Sequence, residues 1–537
     1  MSRFARSMLI GTALLAALGA SPLSGVAAEG ARAGEDIALA RASTGIPGPV
    51  SGAAARAVAG ELLPADPAEL ERAKADAASR AGTSRTRVPR GTSTPTIGRR
   101  AMGLSDPSST PSDSTGAIGP TRYVETVNRK VGIYDRDLNL LSSEILQTWW
   151  AEPGSNSFDP QVIWDATTKR FYYAGAVVYS AMDNRLAFGF STTASPNNAT
   201  TDWCHYDLPY GSEFADYPKL GDSRYFSIIG VNVFNGQTFR GSDVLAIGKP
   251  PAGTACPDAS TFPVGVGQNL EVGGLEHFTP VPANEIDKQQ TGWVLTRPSS
   301  VEAASLGRFR VTRDATTGDP IIETSGVDIA VPAYAPPANA PQRDGAYLLD
   351  TSDARLTQAV AAFDPSTDGR FVMWTQHAIA GGAGSQERWY EIDPAARTVI
   401  QSGNVSHPSL FVFNGAISPD RVVRGRKRAF GANMVLGYTT SSSTTYPAIR
   451  MVSKRGANGV SSPVLVRRSP GHDEDFACPQ LGYCRWGDYA AATPDPKSSV
   501  DRSAGVVWLT NMWTADADTT GGDTGVSWRT WNWSATP

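Results

Sequence analysis

The sequence predicts an all-β protein whose main domain is a β-propeller of about seven blades. After residue 116, short runs of β-branched and aromatic residues alternate with polar ones and are separated by Gly, Asn, Asp and Pro, as in strands joined by turns. No helical periodicity longer than about 10 residues is found there. The roughly 420 residues of this pattern exceed the usual size of one β-sandwich, whereas a propeller accommodates them.

A degenerate repeat predicts the blades. At intervals of about 60 residues, a strand start carries an acidic residue next to Pro or an aromatic residue. The copies are Phe158-Asp159-Pro160-Gln161, Ala215-Asp216-Tyr217-Pro218, Leu275-Glu276-His277, Leu349-Asp350 and Gly487-Asp488-Tyr489. About seven such units are expected, with six or eight left open, and a C-terminal strand over residues 526–533 is expected to close the ring.

Residues 1–28 have the layout of a secretory signal peptide. Arg3 and Arg6 precede an apolar run over residues 8–19, and small residues follow up to Ala28, where we predict cleavage. The apolar run is too short to span a membrane. We therefore predict a secreted protein, extracellular or periplasmic, with no membrane span.

Residues 29–115 are predicted to be a leader or linker that precedes a propeller domain over residues 116–537. This segment is rich in Ala, Arg, Ser and Pro and almost without aromatic residues, so it cannot bury much of a core. One short helix is expected over residues 67–80, because Asp66 can cap it and Pro67 suits its first position. Residues 91–115 are expected to be disordered. Whether the segment is removed is left open.

The cysteines predict two disulfides. Cys204 and Cys256 form one distant pair, and Cys478 and Cys484 form one close pair, an even count that suits an oxidising compartment. The chain carries 48 basic and 52 acidic residues, a balance that argues against a nucleic-acid partner. We predict a monomer.

Four stretches carry a family resemblance. They are residues 116–128 (GAIGPTRYVETVN), 159–165 (DPQVIWD), 216–221 (DYPKLG) and 485–496 (RWGDYAAATPDP). They resemble secreted bacterial β-propeller proteins of sialidase-like architecture. Residues 523–528 also look like the latter part of an aspartate box. The resemblance implies a sialidase-like propeller but no particular activity, and the Arg-Ile-Pro that usually announces a sialidase is missing.

The acidic strand starts predict a site at the mouth of the central channel, where propellers usually bind ligands. We predict Asp159, Asp216 and Asp488 as catalytic carboxylates, with Lys219 and Arg485 as substrate-binding countercharges. Two facing carboxylates could divide the acid and nucleophile roles of glycoside cleavage. The structural alternative is that each Asp only accepts hydrogen bonds from turn amides.

Histidine supplies a fourth catalytic candidate. His277 follows Glu276 at a proposed inner strand start, and imidazole is suited to proton transfer near neutral pH. A structural role for a single buried histidine is the alternative.

Four aromatic residues are predicted to contact substrate, because aromatic faces stack on sugar rings. They are Tyr217, Trp149, Trp150 and Trp486. Tryptophan is also a frequent wedge between propeller blades, which is the alternative.

No cofactor is predicted, with calcium as the one candidate. The acidic run from His472 to Asp475 could bind Ca²⁺ in an extracellular loop, and residues 516–523 have the same standing. A solvated acidic turn is the alternative.

Together these features predict a secreted propeller that binds an extracellular polysaccharide or glycoconjugate. Whether it also cleaves this glycan is left open; a catalytic protein is expected to be a glycoside hydrolase, sialidase-like in kind, or a polysaccharide lyase. The alternative is a non-catalytic binding or scaffold propeller for a polysaccharide or surface protein. Motifs of esterases, zinc proteases and P-loop proteins are missing from the sequence.

Overall fold

The computed structural model describes residues 40–41, 62, 66–82, 93–515 and 528–537. The predicted signal peptide, the acidic run over residues 516–523 and most of the proposed aspartate box lie outside these ranges. Within them, no helix is long and apolar enough to cross a membrane.

Three elements precede the first blade. They are β1 (Ala40–Arg41), α1 (Pro67–Ser79) and β2 (Thr96–Met102). The side chain of Asp66 caps α1 by accepting a hydrogen bond from the Ala68 amide at 2.8 Å.

The first four blades follow in chain order, each an antiparallel sheet. Blade 1 contains β3 (Thr115–Ile118), β4 (Tyr123–Val127), β5 (Lys130–Tyr134) and β6 (Leu140–Ile145), and α2 (Leu146–Trp149) leads to the next blade. Blade 2 contains β7 (Asn156–Asp165), β8 (Arg170–Ser180), β9 (Asp183–Ser191) and β10 (Trp203–Gly211). Blade 3 contains β11 (Phe214–Asp222), β12 (Phe226–Asn235), β13 (Thr238–Gly248) and β14 (Val264–Gly267). Blade 4 contains β15 (Glu271–Val272), β16 (Leu275–Pro282), β18 (Gly292–Pro298), β19 (Ala303–Arg313), β20 (Pro320–Ile322) and β21 (Val327–Tyr334). Between β16 and β18, the chain forms β17 (Asn284–Glu285), which belongs to the sheet of blade 5.

Three more blades complete the ring. Blade 5 contains β22 (Gln358–Asp364), β23 (Arg370–Gly381), β24 (Gly384–Asp393) and β25 (Thr398–Val405), and β17 pairs in parallel with β22. Blade 6 contains β26 (Phe411–Pro419), the hairpin β27 (Val422–Arg424) and β28 (Lys427–Ala429), β29 (Asn433–Ser442), β30 (Thr445–Arg455) and β31 (Val464–Arg468). After α3 (Cys478–Leu481), blade 7 contains β32 (Ala491–Pro494), β33 (Val507–Thr514) and β34 (Trp528–Thr536). The prediction of an all-β propeller of about seven blades is confirmed.

The core of the molecule lies between neighbouring blades. Each of the seven blade interfaces has its own buried apolar cluster. Between blades 5 and 6, for example, Trp374 and Trp389 pack near Ile417 and Leu436. Seven wedge-shaped interfaces fix the inner strands β3, β7, β11, β16, β22, β26 and β32 around one axis.

The N-terminal strand β2 closes the ring. It pairs antiparallel with β34 and becomes the outer strand of blade 7, so residues before 116 belong to the propeller. The expectation of disorder over residues 91–115 fails there. The strand has the sequence TIGRRAM and is mostly exposed, as expected of an edge strand. It therefore lacks the pattern of buried apolar residues from which a strand is predicted.

Both predicted disulfides are present. Cys204–Cys256 links β10 of blade 2 to the segment that precedes β14 of blade 3. Cys478–Cys484 encloses α3 and ends one residue before Arg485. The second bridge therefore anchors the loop that leads into the inner strand of blade 7.

Candidate functional site

A repeated backbone irregularity marks one end of the central channel. Near the start of four inner strands, a non-glycine residue adopts a left-handed conformation, with φ of 50 to 56° at Asp159, Tyr217, Thr279 and Asn414. At each position the strand register shifts by a β-bulge. Such conformations cost about 1–2 kcal/mol each and cluster at functional sites, where bulges redirect side chains. The four bulges indicate a functional site at this end of the channel, which is called the mouth below.

All three predicted catalytic carboxylates meet at the mouth. Asp159 of β7, Asp216 of β11 and Asp488, which precedes β32, interact electrostatically with one another and remain partly exposed to solvent. Their strands come from blades 2, 3 and 7, so the ring, and not the sequence, makes them neighbours.

Hydrogen bonds tie this group to two tyrosines. Tyr489 Oη donates to Asp159 Oδ2 at 3.1 Å, and Tyr217 Oη donates to the carbonyl oxygen of Asp488 at 2.7 Å. The two rings lie 4.8 Å apart, centroid to centroid. Arg485 forms an ion pair with the Asp488 carboxylate.

Lys219 lies against both tyrosine rings. Its Nζ is 3.8 Å from the ring centroid of Tyr217 and 3.6 Å from that of Tyr489. Only 2% of the residue is exposed, and its amine has no hydrogen-bond partner among the described residues. Lys219 also lines a small pocket in the central channel, together with residues of the inner strands of other blades.

Asp113 is a fourth carboxyl at the mouth. It lies just before β3, is fully buried, and its Oδ1 accepts a hydrogen bond from the Asp488 amide at 2.8 Å. Burial, with the charges of Asp488 and Asp159, raises its pKa well above the usual value.

The pKa values of Asp159 and Asp216 are raised above that of a free aspartic acid side chain. Burial raises the pKa of Asp159 to about 7, assisted by the negative charges of Asp216 and Asp488. Burial also raises the pKa of Asp216 to about 6, although Arg355 opposes the shift. Burial lowers the pKa of Lys219 well below its usual value. The mouth thus favours neutral forms of groups that are normally charged.

Two arginines at the mouth, Arg355 and Arg485, lie next to further acidic residues. Arg355 packs over the Tyr217 ring and pairs with Asp353 at 2.8 Å. Asp350 lies 3.9 Å from Arg485 and 3.0 Å from Lys74 of α1. The helix before the propeller therefore reaches the groups that position Arg485.

His277 is buried inside blade 4, and none of its described contacts is with Asp159, Asp216 or Asp488, so the structure does not bring it into this group. Its Nδ1 contacts Thr296 Oγ1 at 2.8 Å, and the ring packs near Phe309. Burial lowers its pKa to about 4, so imidazole stays neutral at physiological pH. It serves packing within the blade.

The three predicted tryptophan contacts are wrong. Trp149 and Trp150 are fully buried between blades 1 and 2, where Trp150 stacks on Tyr173 and lies over Gly175. Trp486 is buried and donates to Thr439 Oγ1 at 3.0 Å. Each tryptophan fills an apolar interior, which the sequence pattern of neighbouring polar residues concealed.

The acidic run from His472 to Asp475 is neither a calcium site nor a solvent-exposed turn. Asp473 and Asp475 are buried, and their backbone amides donate to Gln342 and Cys478. Within the described ranges, no group of three or more His, Cys, Asp or Glu side chains could hold a metal ion.

Three residues at the mouth were not predicted as site residues from the sequence, namely Asp113, Arg355 and Tyr489. Asp113 lies in the segment assigned to a linker, although Asp-Ser-Thr-Gly stands before β3 much as Asp-Pro-Gln stands in β7. Tyr489 follows Asp488 directly, and its aromatic character next to an acidic strand start was the available signal. Arg355 follows Asp350 in a loop before β22 and had no signal of its own.

No family model matches the sequence, and no curated protein matches it. Among solved structures, the chain is similar to a variant of the Synechocystis apocarotenoid oxygenase, with a TM-score of 0.34 and 10% identity over 66% of this chain and 74% of that chain. It is similar to the exo-β-1,3-galactanase from Phanerochaete chrysosporium, with a TM-score of 0.29 and 8% identity over 81% of this chain and 100% of that chain. For the Dos1 propeller the TM-score is 0.32, with 10% identity over 79% and 77% of the two chains. Similarity at this level carries no information about activity.

Proposed function

We propose that the mouth binds an extracellular glycan and cleaves its glycosidic bonds. The observation that carries this proposal is the meeting of Asp159, Asp216 and Asp488 from three blades at partly exposed positions around one channel. A pair of carboxyl groups in unlike surroundings is what glycoside hydrolysis requires.

The surroundings suggest how the roles divide. Asp159, with its pKa raised to about 7, retains a proton near neutral pH and suits the general acid. Asp488 pairs with Arg485 and is placed to act as a base or nucleophile. Burial raises the pKa of Asp159, and the negative charge of Asp216 adds to this effect. Lys219, Arg485 and Tyr217 lie next to these carboxyls or to one another, and we expect them to bind sugar hydroxyls or acidic groups.

Export is part of this proposal. Two disulfides favour an oxidising compartment, and the layout of residues 1–28 suits a signal peptide. A glycan outside the cell is therefore the substrate class that fits both the site and the compartment.

The test is incubation of the purified protein with a panel of neutral and acidic polysaccharides, with the products identified by mass spectrometry. New reducing ends show hydrolysis, and unsaturated ends show lyase chemistry. We expect Asp159→Asn and Asp488→Asn to lower kcat at least about 100-fold, in line with the loss of an acid or base. The matched control Asp319→Asn, an exposed turn carboxylate, should leave kcat unchanged.

Two outcomes would contradict the proposal. Glycan binding without product would support the non-catalytic propeller instead. Full turnover by both mouth variants would place the active site elsewhere.

A further inference from the structure

A hairpin at the end of the channel opposite the mouth concentrates positive charge. It consists of β27, β28 and the turn between them, and is called the basic hairpin below. Five of the eight residues from Arg421 to Arg428 are basic, in a chain whose formal net charge is -4. Val423 of the hairpin lines a small pocket with Trp164 and Pro494, which stand at the ends of β7 and β32. Because the mouth lies near the starts of these strands, the basic hairpin lies on the opposite face of the ring.

The base of the basic hairpin is fixed by two buried carboxylates. Asp287 forms ion pairs with Arg421 at 2.8 Å and with Arg428 at 3.3 Å. Asp420 accepts a hydrogen bond from the Gly431 amide at 2.8 Å, so it joins the two ends of the hairpin. The base therefore holds the tip at one place on this face.

The three remaining cations lie at the tip and are not neutralised. Arg424, Arg426 and Lys427 are exposed, and none of them forms an ion pair with a residue that the structure describes. Arg424 stands directly opposite Lys427 across the hairpin. Like charges in such a pair destabilise a β-hairpin. The tip thus carries charges that reduce stability, which favours a role in binding.

We propose that the basic hairpin binds an acidic polysaccharide, a polymer that carries carboxylate groups along its chain. Exposed cations attract such a polymer over about 8–10 Å at moderate salt. Arginine also pairs with a carboxylate through two parallel hydrogen bonds. The assignment goes beyond glycan cleavage and does not depend on it, because retention of the polymer requires no turnover. A polymer held on this face leaves the mouth free.

The surface of the basic hairpin favours a polysaccharide over a membrane or a nucleic acid. Among the described residues, the large apolar side chains that are exposed all lie outside the hairpin, so it has none to insert into a lipid interface. Residues 421–429 also contain no aromatic ring that could stack on bases. Carboxylate recognition needs only the cations that the tip presents.

Affinity measurements on the whole protein test the assignment, with polygalacturonate as the acidic polymer and dextran as the neutral one. The hairpin variant carries Arg424→Gln, Arg426→Gln and Lys427→Gln. At low salt we expect it to bind polygalacturonate at least about tenfold more weakly than wild type, because three exposed charges are lost. The difference should shrink at about 0.5 M NaCl, since salt screens exposed charges. Dextran should not distinguish the two proteins.

Two further variants control for net charge and for folding. Arg72→Gln, Arg100→Gln and Arg468→Gln together remove the same charge from exposed residues outside the hairpin, and should keep the wild-type affinity. Arg424→Lys with Arg426→Lys keeps the charge of the tip and should retain most of the binding. Urea unfolding of the hairpin variant should show no loss of stability, because the like-charge pair is removed.

Equal affinity of wild type and the hairpin variant for polygalacturonate would overturn the assignment, as would an equal loss in the control variant. Failure of the wild-type protein to bind polygalacturonate at low salt would overturn it regardless of the variants. Binding of anionic lipid vesicles or DNA in place of polygalacturonate would do the same. Turnover of short glycans is measured separately, so failure of cleavage is distinguishable from failure of polymer binding.

Discussion

Asp159 makes the stability of the protein depend on pH. Its pKa is about 7 in the folded protein, against a usual value of 3.8, mainly because of burial. The unfolded chain therefore releases this proton more readily, and the folded state loses stability as the pH rises from about 4 through 7. A difference of this size corresponds to at most about 4 kcal/mol. We expect urea unfolding to show this decline in wild type and a weaker one in Asp159→Asn.

The control for this prediction is Asp319→Asn, since Asp319 is exposed in a turn. It should follow the wild-type profile between pH 4 and 8. An unchanged slope in Asp159→Asn would mean that Asp159 ionises as easily in the folded protein as in the unfolded chain.

Trp149 shows why side-chain identity alone misleads in a propeller. Its ring meets Tyr173 at 4.6 Å and Trp203 at 5.0 Å, between blades 1 and 2. We predict that Trp149→Ala lowers the free energy of unfolding by about 3–5 kcal/mol and leaves ligand affinity unchanged. Chemical denaturation and glycan binding by calorimetry measure the two quantities. If Trp149→Ala weakened glycan affinity without changing the free energy of unfolding, Trp149 would be a ligand contact after all.

At the scale of elements, Lys74 joins α1 to the propeller through a buried ion pair. Lys74 Nζ donates to Asn339 Oδ1 at 2.7 Å and to Asp350 Oδ1 at 3.0 Å, with little exposure on either side of the ion pair. Removing one partner of a buried pair costs about 3 kcal/mol or more. We predict that Lys74→Met speeds amide hydrogen exchange in α1 by about a hundredfold while the blades keep their protection.

Arg72→Met is the matched control, because Arg72 lies on the exposed side of the same helix and both residues favour helices. It should leave exchange in α1 unchanged. Equal exchange rates in the two variants would mean that Lys74 does not hold the helix to Asp350.

The elements also show where sequence reasoning succeeds and where it stops. The alternation of apolar and polar residues, as in the strand that ends at Asp165, is a local property of the sequence. Strand hairpins and acidic strand starts could therefore be predicted from neighbouring residues alone. β2 could not, because an exposed edge strand lacks a core-facing pattern. The direction of His277 depends on how β16 packs against β18 and β19, which is a tertiary property.

At the scale of the whole molecule, ring closure depends on residues from both ends of the chain. β34 pairs with β33 on one side and with β2 on the other. We predict that a chain beginning at residue 103 loses about 3–5 kcal/mol relative to one beginning at residue 93, because β34 loses a row of hydrogen bonds and becomes an exposed edge. Thermal unfolding compares the two, and equal Tm values would show that β2 is dispensable.

The mouth is likewise a product of the whole ring. Asp159, Asp216 and Asp488 could be selected from the sequence because each stands at a strand start, and the circular order of the blades brings them together. Asp113 and Arg355 could not be selected, because one lies before the first recognised strand and the other in a long connection. Their place is fixed by packing around the axis.

NMR titration of ¹³C-labelled aspartate carboxyls tests most directly whether these residues form one coupled site. We predict a resonance that titrates near pH 7, disappears in Asp159→Asn and shifts to lower pH in Asp216→Asn, because a neighbouring negative charge is removed. A titration of Asp159 near pH 4, or one that Asp216→Asn leaves unmoved, would contradict the account.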